Sequence, residues 1–320
     1  MSNLNSVTKA IVHFKDSLSN CRICPRKCGV DRTNGKIGYC RAGLKASVYS
    51  YISHHGEEPP ISGERGSGTI FFSRCNMKCA YCQNYRFSQL DEGKEVSTGE
   101  LANMMLSLEK QGCHNINFVS PTHYLLQILS ALEEAIIKGL SIPIVYNTSG
   151  YELKESIEAL EGVVDIYLPD MRYSDNAMAK AYSDAPDYVD RDRESVLEMY
   201  RQVGDLSVDN NGIAKKGIII RLLVLPKGIS GTIKTLQFIK EKISKKTYLS
   251  IMSQYYPTFK AYNFSDISHG ICREEYANVV DEARLLGLND GWAQELPKDF
   301  DPKFLGTNIA PCEEGDKSGS

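Results

Sequence analysis

With 320 residues the chain can bury a large core, as one large domain or two smaller ones. Its 37 basic and 40 acidic side chains leave a net charge of −3, which gives no global footprint for nucleic acid, and no apolar run approaches the roughly 20 residues that span a bilayer. Met1 to Asp16 has no apolar core or small-residue cleavage site, so no secretory signal is expected; ten clustered cysteines then point to metal in a reducing cytoplasm rather than to disulfides.

In chain order, the first segment that carries chemistry is Cys21-Arg22-Ile23-Cys24-Pro25-Arg26-Lys27-Cys28, with Cys40 after eleven intervening residues. Four thiols satisfy a structural zinc or an additional iron–sulfur cluster, and the spacing does not match the ferredoxin run, in which the gaps are two, two and three residues. Zinc, iron–sulfur and no metal therefore stay open for Cys21, Cys24, Cys28 and Cys40. Residues 21–45 hold seven Lys or Arg (Arg22, Arg26, Lys27, Arg32, Lys36, Arg41, Lys45) against one acid, Asp31. Cations offsetting the charge of a tetrathiolate explain this better than a nucleic-acid patch, because the segment lacks an aromatic stacking ladder.

From Thr69 onward short apolar strands alternate with helical patterns. The expected strands are Thr69–Phe72, Ile116–Ser120, Ile142–Asn147, Val163–Leu168, Gly217–Leu225 and Thr247–Met252. Helices are expected over Thr98–Gln111, Thr122–Gly139, Glu152–Glu161, Arg193–Val203, Thr232–Lys242 and Arg273–Leu286. Leu101, Met104, Met105 and Leu108 repeat at helical spacing and read as core. Six such units predict an α/β fold, a partial (β/α)6 TIM-like barrel, with the chemistry at the C-terminal ends of its strands. The expected organisation is an N-terminal Cys-rich metal-binding module over 1–67, outside this core, the barrel over 68–295, and a C-terminal extension over 296–320 whose polar tail Glu313–Ser320 is disordered.

Directly after the first expected strand lies Cys75-Asn76-Met77-Lys78-Cys79-Ala80-Tyr81-Cys82. Three thiols at this spacing reach one corner of a metal cluster, and an iron–sulfur cluster normally takes four Cys ligands. The fourth iron is then open to a substrate or cofactor. A structural zinc closes with four ligands, and no further Cys or His follows before Cys113 and His114.

The strand Gly68-Thr69-Ile70-Phe71-Phe72-Ser73-Arg74, the cysteine loop and the aromatic Tyr81 before its last Cys resemble the radical S-adenosylmethionine (SAM) superfamily. Glu57-Glu58-Pro59, Ile61-Ser62-Gly63, Gly66-Ser67-Gly68, Ser120-Pro121-Thr122-His123-Tyr124, Tyr146-Asn147-Thr148-Ser149-Gly150-Tyr151 and Tyr167-Leu168-Pro169-Asp170 are similar to its pyruvate-formate-lyase-activating-enzyme-like branch. The resemblance spans roughly residues 20–295. It implies a [4Fe–4S] cluster on Cys75, Cys79 and Cys82, SAM at the open iron, and a one-electron donor such as flavodoxin or ferredoxin. Reductive cleavage of SAM would give a 5′-deoxyadenosyl radical for hydrogen abstraction, chemistry that the cofactors carry and the protein orients.

Its site residues carry over by position. Tyr81 would meet adenine. Ser120 and Thr122 stand where a Gly-Gly-Glu-like turn usually meets the methionine amino group, so those contacts would come from backbone. Asn147 and Thr148 occupy an Asp-Thr position near SAM and a monovalent cation, with Asp170 at the second acidic position. Arg221, a lone cation in the apolar run Ile218 to Leu225, matches an Arg that meets the SAM carboxylate, or else forms a structural ion pair. The leading expectation is a radical SAM activase that installs a glycyl radical on a partner enzyme. A second is a radical SAM enzyme acting on a small molecule or peptide with an auxiliary N-terminal cluster. A third is a non-catalytic zinc-binding module.

Overall fold

The computed structural model describes residues 3–296. Apart from residue 296 itself, the expected extension 296–320, with its tail and Cys312, lies outside the described residues. Helix α1 (Leu4–Phe14) starts where the Asn3 side chain accepts from the Asn5 amide at 3.0 Å. Beyond the first cysteine loop come β1 (Ala46–His54), the one-turn α2 (Pro59–Ser62), β2 (Ser67–Phe72), α3 (Tyr85–Gln89), β3 (Lys94–Val96), α4 (Thr98–Lys110) and β4 (Ile116–Val119). Then follow α5 (Leu125–Ile137), β5 (Ile144–Thr148), α6 (Lys154–Glu158), β6 (Ile166–Pro169), α7 (Asn176–Ser183) and α8 (Tyr188–Val203). The order closes with β7 (Ser207–Val208), β8 (Ala214–Leu223), α9 (Thr232–Lys242), β9 (Tyr248–Met252), α10 (Arg273–Leu285) and β10 (Gly291–Ala293).

The sheet runs β10-β9-β8-β6-β5-β4-β2-β1-β3, with β7 paired to β8. Every neighbour pair from β2 to β10 along this path is parallel, while β1 pairs antiparallel with β2 and with β3. Parallel strands taken in chain order, each returned by a crossover that carries helix, make a β/α barrel wall. The wall is open, since β3 and β10 end the path. This is the expected α/β, partial (β/α)6 arrangement. Strands β2, β4, β5 and β6 are buried at every position, as strands covered on both faces must be.

All six expected strands and six expected helices are present with shifted ends. Thr122–Gly139 opens as a single 3-10 turn, Thr122–Tyr124, before α5. Helix α4 begins at a capping box in which Ser97 Oγ accepts from Glu100 N at 3.2 Å and Glu100 Oε2 accepts from Ser97 N at 2.7 Å. Its Leu101, Met105 and Leu108 are buried in the core and Met104 packs at the margin, as the spacing predicts.

Residues 1–67 differ from the expectation that they stand outside the core. Strand β1 lies along β2 from His54 opposite Ser67 to Val48 opposite Phe72, and Val7, Ala10 and Phe14 of α1 join the core with Leu125 and Leu129 of α5. The physical reason is the edge of β2, whose unpaired amides and carbonyls β1 satisfies. The expected boundary at residue 67 falls inside β2, after its first residue, on a strand hydrogen-bonded to β1.

Candidate functional site

The cysteine loop leaves the C-terminal end of β2 through Arg74, whose φ of 73° turns the chain sharply. It is clamped from several directions. Asn76 Nδ2 donates to Tyr151 O at 2.8 Å, Lys78 N to Ser183 O at 3.1 Å, Ala80 N to Tyr182 O at 2.8 Å and Lys260 N to Ala80 O at 2.9 Å. Gln89 Nε2 donates to Cys79 O at 2.9 Å. The three sulfurs have polar neighbours of their own: Met77 N donates to Cys75 Sγ at 3.4 Å, Ser88 Oγ lies 3.2 Å from Cys82 Sγ, and Arg172 Nη1 lies 4.0 Å from Cys79 Sγ. Burial, with the Cys79 sulfur adding to it, pushes Cys75 up to about 12 and Cys82 up to about 11. Metal charge is what holds such buried thiols as thiolates.

Among the described residues, no three His, Cys, Asp or Glu side chains gather round the position of a single metal ion. An all-sulfur set of three, with N–H and O–H donors to the sulfurs, fits a cubane cluster with one iron left open.

Beside Cys82 is a cavity of about 100 Å³ lined by Tyr81, Asp170, Arg172, Arg221 and Gln254 among others. A string of charges runs behind it. Arg221 Nε donates to Asp170 Oδ1 at 2.7 Å and Nη1 to Glu57 Oε2 at 3.3 Å, while Arg172 Nη2 donates to Asp170 Oδ2. Glu57 Oε1 accepts from Asn117 Nδ2 at 3.0 Å and from Asn147 Nδ2 at 3.5 Å. Register sets the central pair, because Asp170 and Arg221 face each other as a parallel bridge just beyond β6. Burial alone would raise Asp170, but Arg221 and Arg172 outweigh it and hold the carboxyl below its usual range. At Glu57 burial wins over Arg221 and the carboxyl is raised.

The structure thus brings Tyr81, Asp170 and Arg221 of the expected site to one cavity, with Asn147 linked to it through Glu57. Tyr81 Oη is 2.7 Å from Tyr173 Oη, and Tyr173 Oη is 2.7 Å from Ser183 Oγ. Ser120 holds a φ of 56° and donates its amide to Asn147 O at 2.9 Å. The hydroxyls of Thr122 and Thr148 are committed elsewhere. Both donate to Glu152 Oε1, Thr122 at 2.5 Å, and Tyr146 Oη donates to the same atom at 3.3 Å. Sequence reasoning misses Arg172 and Glu152. Their signals are weak: one follows Asp170 by two residues, the other is an acid after Gly150-Tyr151.

Glu152 is fully buried and is pushed up to about 7 by burial, against its three hydroxyl donors. A carboxyl raised above its unfolded value stabilises the fold fully below about 4.5, and that contribution is lost as pH rises towards 7. Glu152→Gln is therefore expected to melt close to the parent chain at pH 5 and a few degrees above it at pH 8.5. A difference in melting temperature that is flat across that interval would count against a titrating Glu152.

The N-terminal thiols lie over the same end of the barrel. Arg32 Nη1 donates to His123 O at 2.7 Å, Arg26 Nε to Asn76 O at 2.9 Å and Ser156 Oγ to Ile23 O at 2.8 Å. His123 is buried and pushed down to about 3, mainly by burial. Its Nε2 is 2.9 Å from the Ser73 carbonyl, which can only accept, so the neutral ring carries its proton there.

An open parallel barrel with three thiols on the loop after its first parallel strand, beside a charged cavity, defines the class of protein. The family model of the Radical SAM superfamily matches residues 69–210. Uncharacterized protein MJ0674 of Methanocaldococcus jannaschii is 31% identical over 286 residues, covering 86% of this chain and 77% of the relative. The chain belongs to the radical SAM superfamily. Membership implies an enzyme that uses a [4Fe–4S] cluster and SAM and needs a one-electron donor. Among solved structures, the [FeFe]-hydrogenase maturase HydG is similar at 14% identity and a TM-score of 0.48, over 70% of this chain and 50% of that one. The chain thus spans half the length of that structure. Methylornithine synthase PylB is similar at 14% identity and a TM-score of 0.45, over 72% of each chain. Among the described residues, no helix is long and apolar enough to cross a membrane.

Proposed function

We propose that Cys75, Cys79 and Cys82 hold the [4Fe–4S] cluster and that SAM binds at its open iron, with its methionine end toward the cavity beside Cys82. When bound, these groups supply one-electron cleavage of a C–S bond and a carbon radical that abstracts hydrogen. The observation that carries the reading is the clamped three-thiol loop facing the cavity of Asp170, Arg172 and Arg221. Arg221, fixed by Asp170 and Glu57, is placed to meet the SAM carboxylate. Tyr81, immobilised through Tyr173, presents its ring to adenine, and Ser120 offers backbone. Asn147, Thr148 and Asp170 sit at the ends of neighbouring strands and shape the wall below.

For the substrate, the branch resemblance favours a glycine Cα in a partner glycyl-radical enzyme, in a cytoplasmic setting. A second reading, a small molecule or peptide with the N-terminal thiols as an auxiliary metal site, is favoured by the docking of those thiols over the barrel mouth. The test is low-temperature EPR of anaerobically reconstituted, dithionite-reduced protein with and without SAM, with deoxyadenosine quantified. A cubane signal that shifts with SAM and yields deoxyadenosine is expected. A reduced cluster indifferent to SAM, or colourless zinc protein, would sink the reading. Deoxyadenosine without a glycyl radical signal on any co-encoded partner would remove the activase substrate and leave the second.

A further inference from the structure

We propose that Cys21, Cys24, Cys28 and Cys40 hold a second [4Fe–4S] cluster, through which an acidic one-electron carrier reduces the first. The proposal rests on the reading of Cys75, Cys79 and Cys82 given above.

The four thiols are built into a pocket. Cys21, Cys24 and Cys40 are buried and Cys28 is half-buried. Backbone bonds fold the loop so that its thiols converge: Cys21 N donates to Val30 O at 3.0 Å, Gly29 N to Cys21 O at 2.8 Å and Lys27 N to Cys24 O at 3.0 Å. Gly38 is pressed against Cys28, where a Cβ would come within 2.8 Å of the sulfur. A buried guanidinium stands among them. Arg32 is 3% exposed, and its Nη2 donates to Cys21 Sγ at 3.0 Å and lies 3.8 Å from Cys40 Sγ. Its Nε has no hydrogen-bond partner among the described residues.

A buried arginine keeps its charge and needs a nearby anion. Metal-bound thiols are thiolates and supply that anion. The choice between zinc and a cluster follows from place: zinc has no redox chemistry, whereas thiols packed against the loop of Cys75, Cys79 and Cys82 are positioned for a centre that passes an electron.

The two sets are joined by packed side chains. Arg26, two residues from both Cys24 and Cys28, donates to the carbonyl of Asn76, the neighbour of Cys75. Its guanidinium lies 3.7 Å from the Tyr39 ring centroid, and Lys78 Nζ lies 5.5 Å from the same ring. Tyr39 adjoins Cys40 and Lys78 adjoins Cys79. Arg22, Lys27 and Lys36 of the loop and Lys45 just after it are exposed, and their positive charge draws an acidic carrier. One electron leaves the reduced carrier, which is oxidised, and reduces the second centre and then the first; no proton moves and no bond breaks in these transfers.

The experiment uses the full chain, purified and reconstituted anaerobically, beside Cys24→Ala/Cys40→Ala and Arg32→Gln. The parent is expected to hold about eight irons and the double variant about four. The double variant keeps the SAM-responsive signal and dithionite-driven SAM cleavage, while cleavage driven by reduced flavodoxin or ferredoxin falls at least about tenfold. Arg32→Gln keeps the iron and moves one of two midpoint potentials to more negative values, because it loses a positive charge and N–H···S bonds that favour the reduced cluster. About four irons plus one zinc in the parent would overturn the proposal, as would equal loss of dithionite- and carrier-driven cleavage with the SAM signal intact. If the parent's signals ignore SAM, the reading of the first site fails and so does the relay, while the iron count still decides the second site.

Discussion

Cys79→Ala is expected to fold and to lose both the SAM-responsive EPR signal and deoxyadenosine formation, to background. Two magnitudes decide this outcome. Truncating one buried thiol to a methyl costs on the order of 1 kcal/mol, less than a core Leu→Ala change. The bonds that shape the loop at this residue are main-chain, with Cys79 O accepting from Gln89 Nε2 at 2.9 Å and from Cys82 N at 3.3 Å, and they survive the substitution. What disappears is a third of the ligand set, and two thiolates do not retain a cluster that normally takes four. Cys272→Ser is the matched control. Cys272 caps α10, its sulfur accepting from Glu275 N at 3.4 Å, a role that serine fills. Its iron content, spectrum and product yield should equal the parent's. Continued SAM cleavage by Cys79→Ala would remove this loop from the reaction.

Arg221→Met should lower stability by about 3–5 kcal/mol, since it strips the shared cation from two buried carboxylates. Asp170 would keep Arg172, but Glu57 would be left with the amides of Asn117 and Asn147 alone. Glu57 is already raised by burial, and losing Arg221 raises it further. A raised acid stabilises below its unfolded value and costs stability as pH climbs, so the deficit should be smaller at pH 5 than at pH 8. Adding Asp170→Asn should return part of the loss, because the two sites share one interaction. Arg221→Lys keeps the charge without the two-pronged reach to Asp170 and Glu57 and should fall between. Melting curves of the four proteins at both pH values test the set. An Arg221→Met chain as stable as the parent would show that the string carries no net energy.

How much of this is legible in the sequence varies with distance along the chain. The cysteine loop is, because its chemistry lies within eight residues after an apolar strand. The barrel wall is, because alternation of strand and helix is a local pattern repeated. Arg221 and Asp170 announce themselves only halfway. A charge in an apolar run needs a partner, but which partner depends on the register between β6 and β8, and no local pattern encodes that. Glu57 is harder still, since it reaches Arg221 from before β2. Thr122 and Thr148 look like cofactor contacts by position, yet Glu152, buried between them, accepts both hydroxyls. Strand β1 goes unread because it is antiparallel and precedes the alternation, although Ser47, Val48, Tyr49 and Ser50 suit a strand.

The clamp on the cysteine loop also sets a schedule for assembly. Two of its bonds come from Tyr182 and Ser183, and a third from Lys260, all far downstream of the thiols they steady. A ribosome adding roughly 5–20 residues per second needs on the order of ten seconds or more to pass from Cys82 to Lys260. Through that interval the nascent thiols are in the chain without their scaffold, open to oxidation and to stray metal. Iron and sulfide that arrive before the barrel is finished meet the full ligand motif without the complete means to hold it still, and a truncated chain that stops before Lys260 stays in that state.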